Sequence, residues 1–199
     1  MEFLFVGNAG WIDFVNTSLD DDLEFLPNFE SLLAWSTAAK LIDGAAKRAI
    51  VKAASSHARD RALREARALR GELRRAADRI LCGENPRPAA IARVNELLRE
   101  HPRIIQLRRS SSDGWQTVAD DAVCGPLLPL AAVAEDFAEF LATADLSLLR
   151  RCEKDPCRVL FYDTSRNHAR RWCSMQLCGN RTKVARHRAR HTNGAGARA

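Results

Sequence analysis

Four of the six cysteines fall into two matched pairs late in the chain. Cys152 and Cys157 flank Glu-Lys-Asp-Pro, Cys173 and Cys178 flank Ser-Met-Gln-Leu, and fifteen residues separate the pairs. A tetrahedral zinc ion takes four soft ligands, which two tight turns joined by a short excursion can deliver. Pro156 and Gly179 put turn chemistry beside one cysteine of each pair. Side chains five residues apart on an ideal helix point about 140° apart, so each pair must leave helix to converge on one metal. In a reducing compartment six cysteines are no disulfide framework. Four protein ligands leave no open position for water, so the ion is structural rather than catalytic. The spacing predicts one structural Zn2+ on Cys152, Cys157, Cys173 and Cys178. A rival set, Cys173, Cys178, His187 and His191, reads C-x4-C-x8-H-x3-H. Its middle spacing is shorter than the roughly twelve residues of two-cysteine, two-histidine fingers, and it strands the first pair. Cys82 and Cys124, at the edges of helical patterns, are expected to be small core residues.

The chain beyond the last of these cysteines is strongly basic. The run Gly179-Asn180-Arg181-Thr182-Lys183-Val184-Ala185-Arg186-His187-Arg188-Ala189-Arg190-His191 contains no acid and consists of good helix formers, with Asn180 as an expected N-cap. On a helix Lys183, Arg186 and Arg190 share one side and suit phosphate contacts, which give affinity and salt dependence. Arg181 and Arg188 lie on another side, where arginine can bridge guanine O6 and N7. Asn180 can read adenine, besides capping. Arg166, Arg170 and Arg171, ahead of Cys173, can reach the same phosphates, and Trp172 or Tyr162 can stack on a base. From Arg150 to the end, 13 Lys or Arg face 3 acids, a net +10; the first 149 residues hold 18 against 22, a net −4. A mildly acidic body with a basic appendage points to a polyanionic partner.

The elements that must position these residues are mainly α-helical with small β-hairpins. Phe3 to Val6 and Trp11 to Val15, around Gly7-Asn8-Ala9-Gly10, predict an N-terminal hairpin. Helical spacing runs from Phe29 to about Ile42, from Gly44 to Leu81 with a break at Ser55-Ser56, from Ile91 to Glu100, and from Pro126 to Ala144. Ile104 to Leu107 and Trp115 to Val118 predict a second hairpin. The resulting division is a helical body over 1–145, a zinc module over 146–191 and a disordered tail over 192–199. The apolar faces of the body predict that it folds without the tail. Asp13, Asn16 and Asp163 are isolated polar residues expected to cap turns rather than to do acid–base chemistry.

Two stretches carry a resemblance. Asp163-Thr164-Ser165-Arg166-Asn167, with Arg170-Arg171-Trp172-Cys173-Ser174-Met175 and Cys178-Gly179-Asn180-Arg181, is similar to the CGNR zinc finger, named for that tetrapeptide. Ile12-Asp13-Phe14-Val15-Asn16-Thr17 and Phe29-Glu30-Ser31-Leu32-Leu33-Ala34-Trp35 resemble the ABATE domain that usually precedes it. Together they span nearly the whole chain. The resemblance implies a bacterial stress-induced transcription regulator whose finger binds DNA, with RNA suggested for similar zinc ribbons, and it implies no enzymatic activity.

The functional expectation is therefore a zinc-dependent, DNA-binding transcriptional regulator. RNA binding and a zinc-stabilised protein-interaction module are the alternatives. No Gly-x-Ser-x-Gly, His-Glu-x-x-His or phosphate-cradling glycine loop is present, so an enzyme is not expected. The N-terminal residues lack the basic start and long apolar run of a signal peptide, and no apolar run is long enough to span a bilayer. A cytoplasmic protein is the expectation. An unidentified small effector is expected to bind the body between its helices and its N-terminal hairpin.

Overall fold

The computed structural model describes residues 3–19, 23–110, 114–121 and 125–182. Six α-helices lie among them: α1 Gly10–Val15, α2 Phe29–Ala38, α3 Gly44–Ala53, α4 Ser56–Leu81, α5 Pro88–Glu100 and α6 Leu128–Thr143. Two antiparallel pairs join them, β1 Arg103–Arg109 with β2 Trp115–Asp121, and β3 Leu149–Arg151 with β4 Leu160–Tyr162. The class is the expected one, mainly α with two small strand pairs.

Local chemistry explains the helix bounds. Asn28 and Ser31 form a reciprocal capping box at the start of α2, and the Asp43 carboxylate accepts the Ala46 N–H of α3 at 2.7 Å. Ala54 leaves helix with ψ 120° and Ser55 caps α4 through Ala58 N–H, so the long helical pattern breaks at its serines. Gly83, at φ +74°, turns the chain out of α4 and donates its N–H to the Ile80 carbonyl. That exit leaves Cys82 exposed rather than in the core, which corrects the expectation for it, and Cys124 lies outside the described residues. α5 starts at Pro88, three residues before Ile91, because the fixed φ of proline suits the first helical position.

The N-terminal hairpin does not form. Trp11 to Val15 belongs to α1, and Phe3 to Val6 forms no regular element. The reason is tertiary. Asp136 on α6 accepts the Trp11 N–H at 2.7 Å, capping α1 from another element. Five successive residues of α1, Trp11 to Val15, are buried, so neither a period of two nor one of 3.6 is visible. Gly7 is required just ahead of it: a Cβ there would lie 2.8 Å from both Asp13 Oδ1 and Ile12 Cγ2.

The core gathers around this short helix. Trp11 meets Phe137 and Phe140 edge-on, with centroids 5.0 and 5.1 Å apart, and Phe14 packs on Trp35 at 5.3 Å. Such pairs add about 0.5–1.5 kcal/mol each beyond their buried area. α4 contributes Ala62, Ala66, Leu69, Leu73, Ala77 and Ile80 along one buried face. Arg70, on the same face, is buried only because Glu24 and the Thr17 hydroxyl accept its guanidinium hydrogens. The β1–β2 ribbon forms where the sequence places it but carries Ile105, Leu107 and Trp115 mostly exposed. Leu149 and Leu160, from the second strand pair, lie inside the main core.

Candidate metal centre

Cys152 directly follows β3, and its N–H reaches the Val159 carbonyl at 2.9 Å, extending the ladder by one residue. The turn between the strands includes the cis Asp155–Pro156 peptide and closes with Cys157 N–H on the Lys154 carbonyl. This brings the first two sulfurs within 4.8 Å of each other.

The second cysteine pair is delivered by a loop built on one carboxylate. Asp163 is completely buried, and its Oδ1 accepts from the Ser165 N–H and hydroxyl while Oδ2 accepts the Arg170 N–H at 2.9 Å. Burial works against its charge, and these donors overcome it, holding the carboxyl below the usual carboxylate range. The loop returns alongside the start of the module, where Glu153 N–H meets the Arg171 carbonyl at 3.0 Å. Ser174 then starts a wide turn over Met175–Gly179, its hydroxyl accepting from Leu177 N–H and its carbonyl from both Cys178 and Gly179 N–H. Wide turns of this kind are common at functional sites. Gly179 is buried in this turn beside Met175 and Trp172. The expected N-cap, Asn180, instead has helical angles (φ −65°, ψ −41°), because Ser174 has already begun the turn six residues earlier.

The four sulfurs of Cys152, Cys157, Cys173 and Cys178 all lie within 4.8 Å of one another. Cys157 and Cys173 are 4.0 Å apart, and Cys173 and Cys178 are 3.5 Å apart. Tetrahedral zinc with Zn–S bonds of about 2.3 Å sets its sulfurs about 3.8 Å apart, so the spacing fits that ion. Cys152, Cys173 and Cys178 are buried and Cys157 is half-buried. Burial pushes the Cys173 thiol up, and the Cys157 thiol up to about 11. At Cys152 burial is outweighed by the N–H groups of Cys173 and Lys154, and the net direction is down. Thiols this close and this dry hold four negative charges only around a cation. The residues present therefore fit one structural zinc, and the four converge without His187 or His191, which lie outside the described residues.

The body holds this module by groups that local sequence does not reveal. The Asn16 side chain pairs with Leu160 like a strand neighbour, donating Nδ2–H to the carbonyl at 2.8 Å and accepting the N–H on Oδ1 at 2.9 Å. Arg74 of α4 donates to the carbonyls of Val15, Ser18 and Arg158. Burial lowers its pKa from the ordinary arginine value, with Asp78 acting in the other direction. Leu4, Val6 and Leu19 pack against the cysteine cluster itself. Asp13 accepts the Val6 and Gly7 N–H groups at 3.0 and 2.7 Å, pinning the segment that supplies two of those residues, Leu4 and Val6. Asp13, Asn16 and Asp163 thus cap or pair with backbone, as their isolation in the sequence predicts.

The residues expected to contact nucleic acid fall into three groups. Arg166, Asn180 and Arg181 are exposed. Arg171 is exposed too, with its guanidinium on Glu153 and 5.3 Å from the Trp172 ring. Arg170 instead turns inward: its guanidinium donates to the carbonyls of Val6, Trp172 and Cys173 and lies 4.3 Å over the Phe161 ring. Lys183, Arg186, Arg188 and Arg190 lie outside the described residues, as do residues 192–199. Of the two candidate stacking rings, Trp172 is half-buried against the cysteine cluster and Tyr162 packs edge-on against Phe140 at 5.1 Å.

Residues 8–144 match the ABATE family model, whose description is "Putative stress-induced transcription regulator". Residues 149–191 match the CGNR zinc finger model. No curated protein matches the chain.

Proposed function

The chain belongs to the ABATE family and carries a CGNR zinc finger, and from that premise we propose that it is a transcriptional regulator whose zinc-loaded finger grips duplex DNA. One observation carries the reading. The last ligand, Cys178, and Gly179 are buried at the metal, and the chain emerges from them at the exposed Asn180 and Arg181, the start of its most basic run. Zinc so bound would fix the point from which that run starts. Arg181 and Arg188 are the base readers in this reading, with Lys183, Arg186 and Arg190 on phosphates. Arg166 and Arg171 add charge from the loop, whereas Arg170 braces it.

Duplex DNA is favoured over single-stranded RNA because Trp172 and Tyr162 spend their faces on packing, which leaves little for base stacking. The metal has four protein ligands and so a structural role, and the proposal includes no catalytic step. No helix among the described residues is long and apolar enough to cross a membrane. The thiol ligands go with a reducing compartment, so the cytoplasm is the proposed place of action.

The test is a competition assay against heparin and random duplex after selection of preferred sequences from genomic DNA, with and without chelator. Log affinity against log salt falls by about 0.9 per phosphate contacted. Replacing Lys183, Arg186 and Arg190 with Gln flattens that slope and weakens all sequences alike. Replacing Arg181 or Arg188 costs about 1–3 kcal/mol, mainly on a preferred sequence. Unchanged affinity and preference after chelation would overturn the reading, since a charged tail needs no fold. Tighter binding to single-stranded RNA, lost in Trp172→Ala, would replace DNA as the partner.

A further inference from the structure

The β1–β2 ribbon has one apolar face with nothing packed on it. Ser110 N–H meets the Gly114 carbonyl at 2.7 Å, and from that turn the register fixes which side chains share a face. Ile105, Leu107, Trp115 and Thr117 fall together, with Leu107 directly opposite Thr117 and Trp115 one diagonal step away. Ile105 is 63% exposed, Leu107 65% and Trp115 70%. None of the three joins or packs against either buried cluster of the described residues. Together they present roughly 400 Å2 of apolar surface, a size at which a patch on a single chain marks an interaction site. The reverse face is polar. Arg108 and Gln116 are exposed there, and the Arg108 guanidinium donates to Gln106 Oε1 at 2.8 Å. One apolar and one solvated face is the pattern of a sheet that packs on a second layer, and the described residues supply none.

We propose that a second copy of the chain supplies that layer, the two ribbons stacking face to face about a two-fold axis. A two-fold dimer uses the same strip on both copies, so length and chemistry match by symmetry. Each ribbon joins its body at one end, through α5 and α6, and has its turn at the other. Ribbons running in opposite directions therefore keep the two bodies apart. That arrangement sets the bulky Trp115 at the level of the partner's Ile105, large against small, and leaves Leu107 beside the axis facing its own copy. Two strips contribute roughly 800 Å2, below the standard interface of about 1,600 Å2, so the dimer is a weak one with a micromolar dissociation constant. Lipid is the poorer partner, because insertion would also strip water from Arg108 and Gln116 on the reverse face. The claim is independent of what the basic run grips, so it is tested without nucleic acid.

The experiment is sedimentation velocity of the full-length, zinc-loaded protein. Monomer is expected at low micromolar concentration and dimer at high micromolar concentration. Leu107→Glu and Leu107→Lys each place like charges beside the axis, and each should hold the protein monomeric. Helical dichroism and zinc content should not change, because the position is exposed. An equimolar mixture of the two variants should associate again, seen as a species of mixed mass by native mass spectrometry. Trp115→Ala should weaken the wild-type association at least tenfold. A chain monomeric at every concentration, a dimer untouched by either charge, or a mixture that fails to associate would each overturn the proposal. A monomeric wild type that pellets with phosphatidylcholine vesicles, and no longer does so as Leu107→Glu, would assign the strip to lipid instead.

Discussion

The body buries Trp11, Phe14, Trp35 and Phe137 with more than twenty other apolar side chains in one continuous core, whereas the finger's own buried cluster is Cys152, Val159, Phe161, Cys173 and Cys178. Three of those five are metal ligands. Burial of apolar surface at about 25 cal/mol per Å2 can hold the first region together but leaves the second short. The finger makes up the difference in two ways, with zinc and with side chains lent by the body. The contrast teaches that the metal and the body–finger contacts stabilise one small region jointly, so each can be removed to expose the share of the other.

The largest effect is expected from the metal. A structural zinc site is worth about 10–16 kcal/mol in isolated finger peptides. Metal analysis should show one zinc per chain, and Cys178→Ser should retain much less. Chelation should strip hydrogen-exchange protection from residues 149–179 while helical dichroism changes little. Full zinc occupancy in a variant with all four ligands changed to serine would sink the assignment. Simultaneous melting of the helices on chelation would break the comparison, because the two regions would then be one cooperative unit.

Next comes the body's hold on the finger. Asn16→Leu leaves the buried N–H and carbonyl of Leu160 unpaired, at about 1–3 kcal/mol each. Urea melts should register that loss, and the variant should release zinc to a chelator faster than the wild type. Wild-type release rates would mean that Asn16 serves the body alone.

The smallest effect comes from Asp13, pushed up to about 6 chiefly by burial despite its bonds to the Gly7 and Val6 N–H groups. Asp136 acts on it in the same direction as burial and Arg170 in the opposite one. Between the unfolded value near 3.8 and the folded value near 6, the folded state binds the extra proton. Its contribution is therefore full below that window and lost as pH rises through it, by up to about 3 kcal/mol. Asp13→Asn keeps an acceptor for both N–H groups and removes the titration. Stability measured from pH 4 to 7 should fall with pH in the wild type relative to this variant, and parallel curves would show that the carboxyl is ionised throughout.

Whatever can be read from the sequence is local. The two cysteine pairs are each a short turn, so their types and spacing predict a centre that the fold then assembles. Helices α2 to α6 show their apolar period, and Ser55, Gly83 and Pro88 mark their ends. Ser174 also has a local signal, a serine opening a turn, but Asn180 competes for the role. Asn16 and Leu160 are 144 residues apart, and nothing near either announces the other. α1 is illegible because burial on all sides erases periodicity, and its N-terminal cap comes from Asp136 on another helix. β3 and β4, three residues each, are too short to show alternation.

The outer side of β4 has a consequence for association. Phe161 is matched across the ladder with Arg150, which leaves the N–H and carbonyl groups of Leu160 and Tyr162 facing away from β3. Asn16 takes both groups of Leu160, the Gly7 carbonyl accepts the Tyr162 N–H at 2.8 Å, and Asn8 Nδ2 donates to the Tyr162 carbonyl at 2.8 Å. No hydrogen-bonding position on that edge is left for a strand from another molecule. An open edge is a template for pairing between chains, so the N-terminal segment guards the finger against polymerisation as well as bracing it. Clipping residues 3–9 should uncover the edge at Tyr162, and the first sign would be concentration-dependent aggregation of zinc-loaded protein.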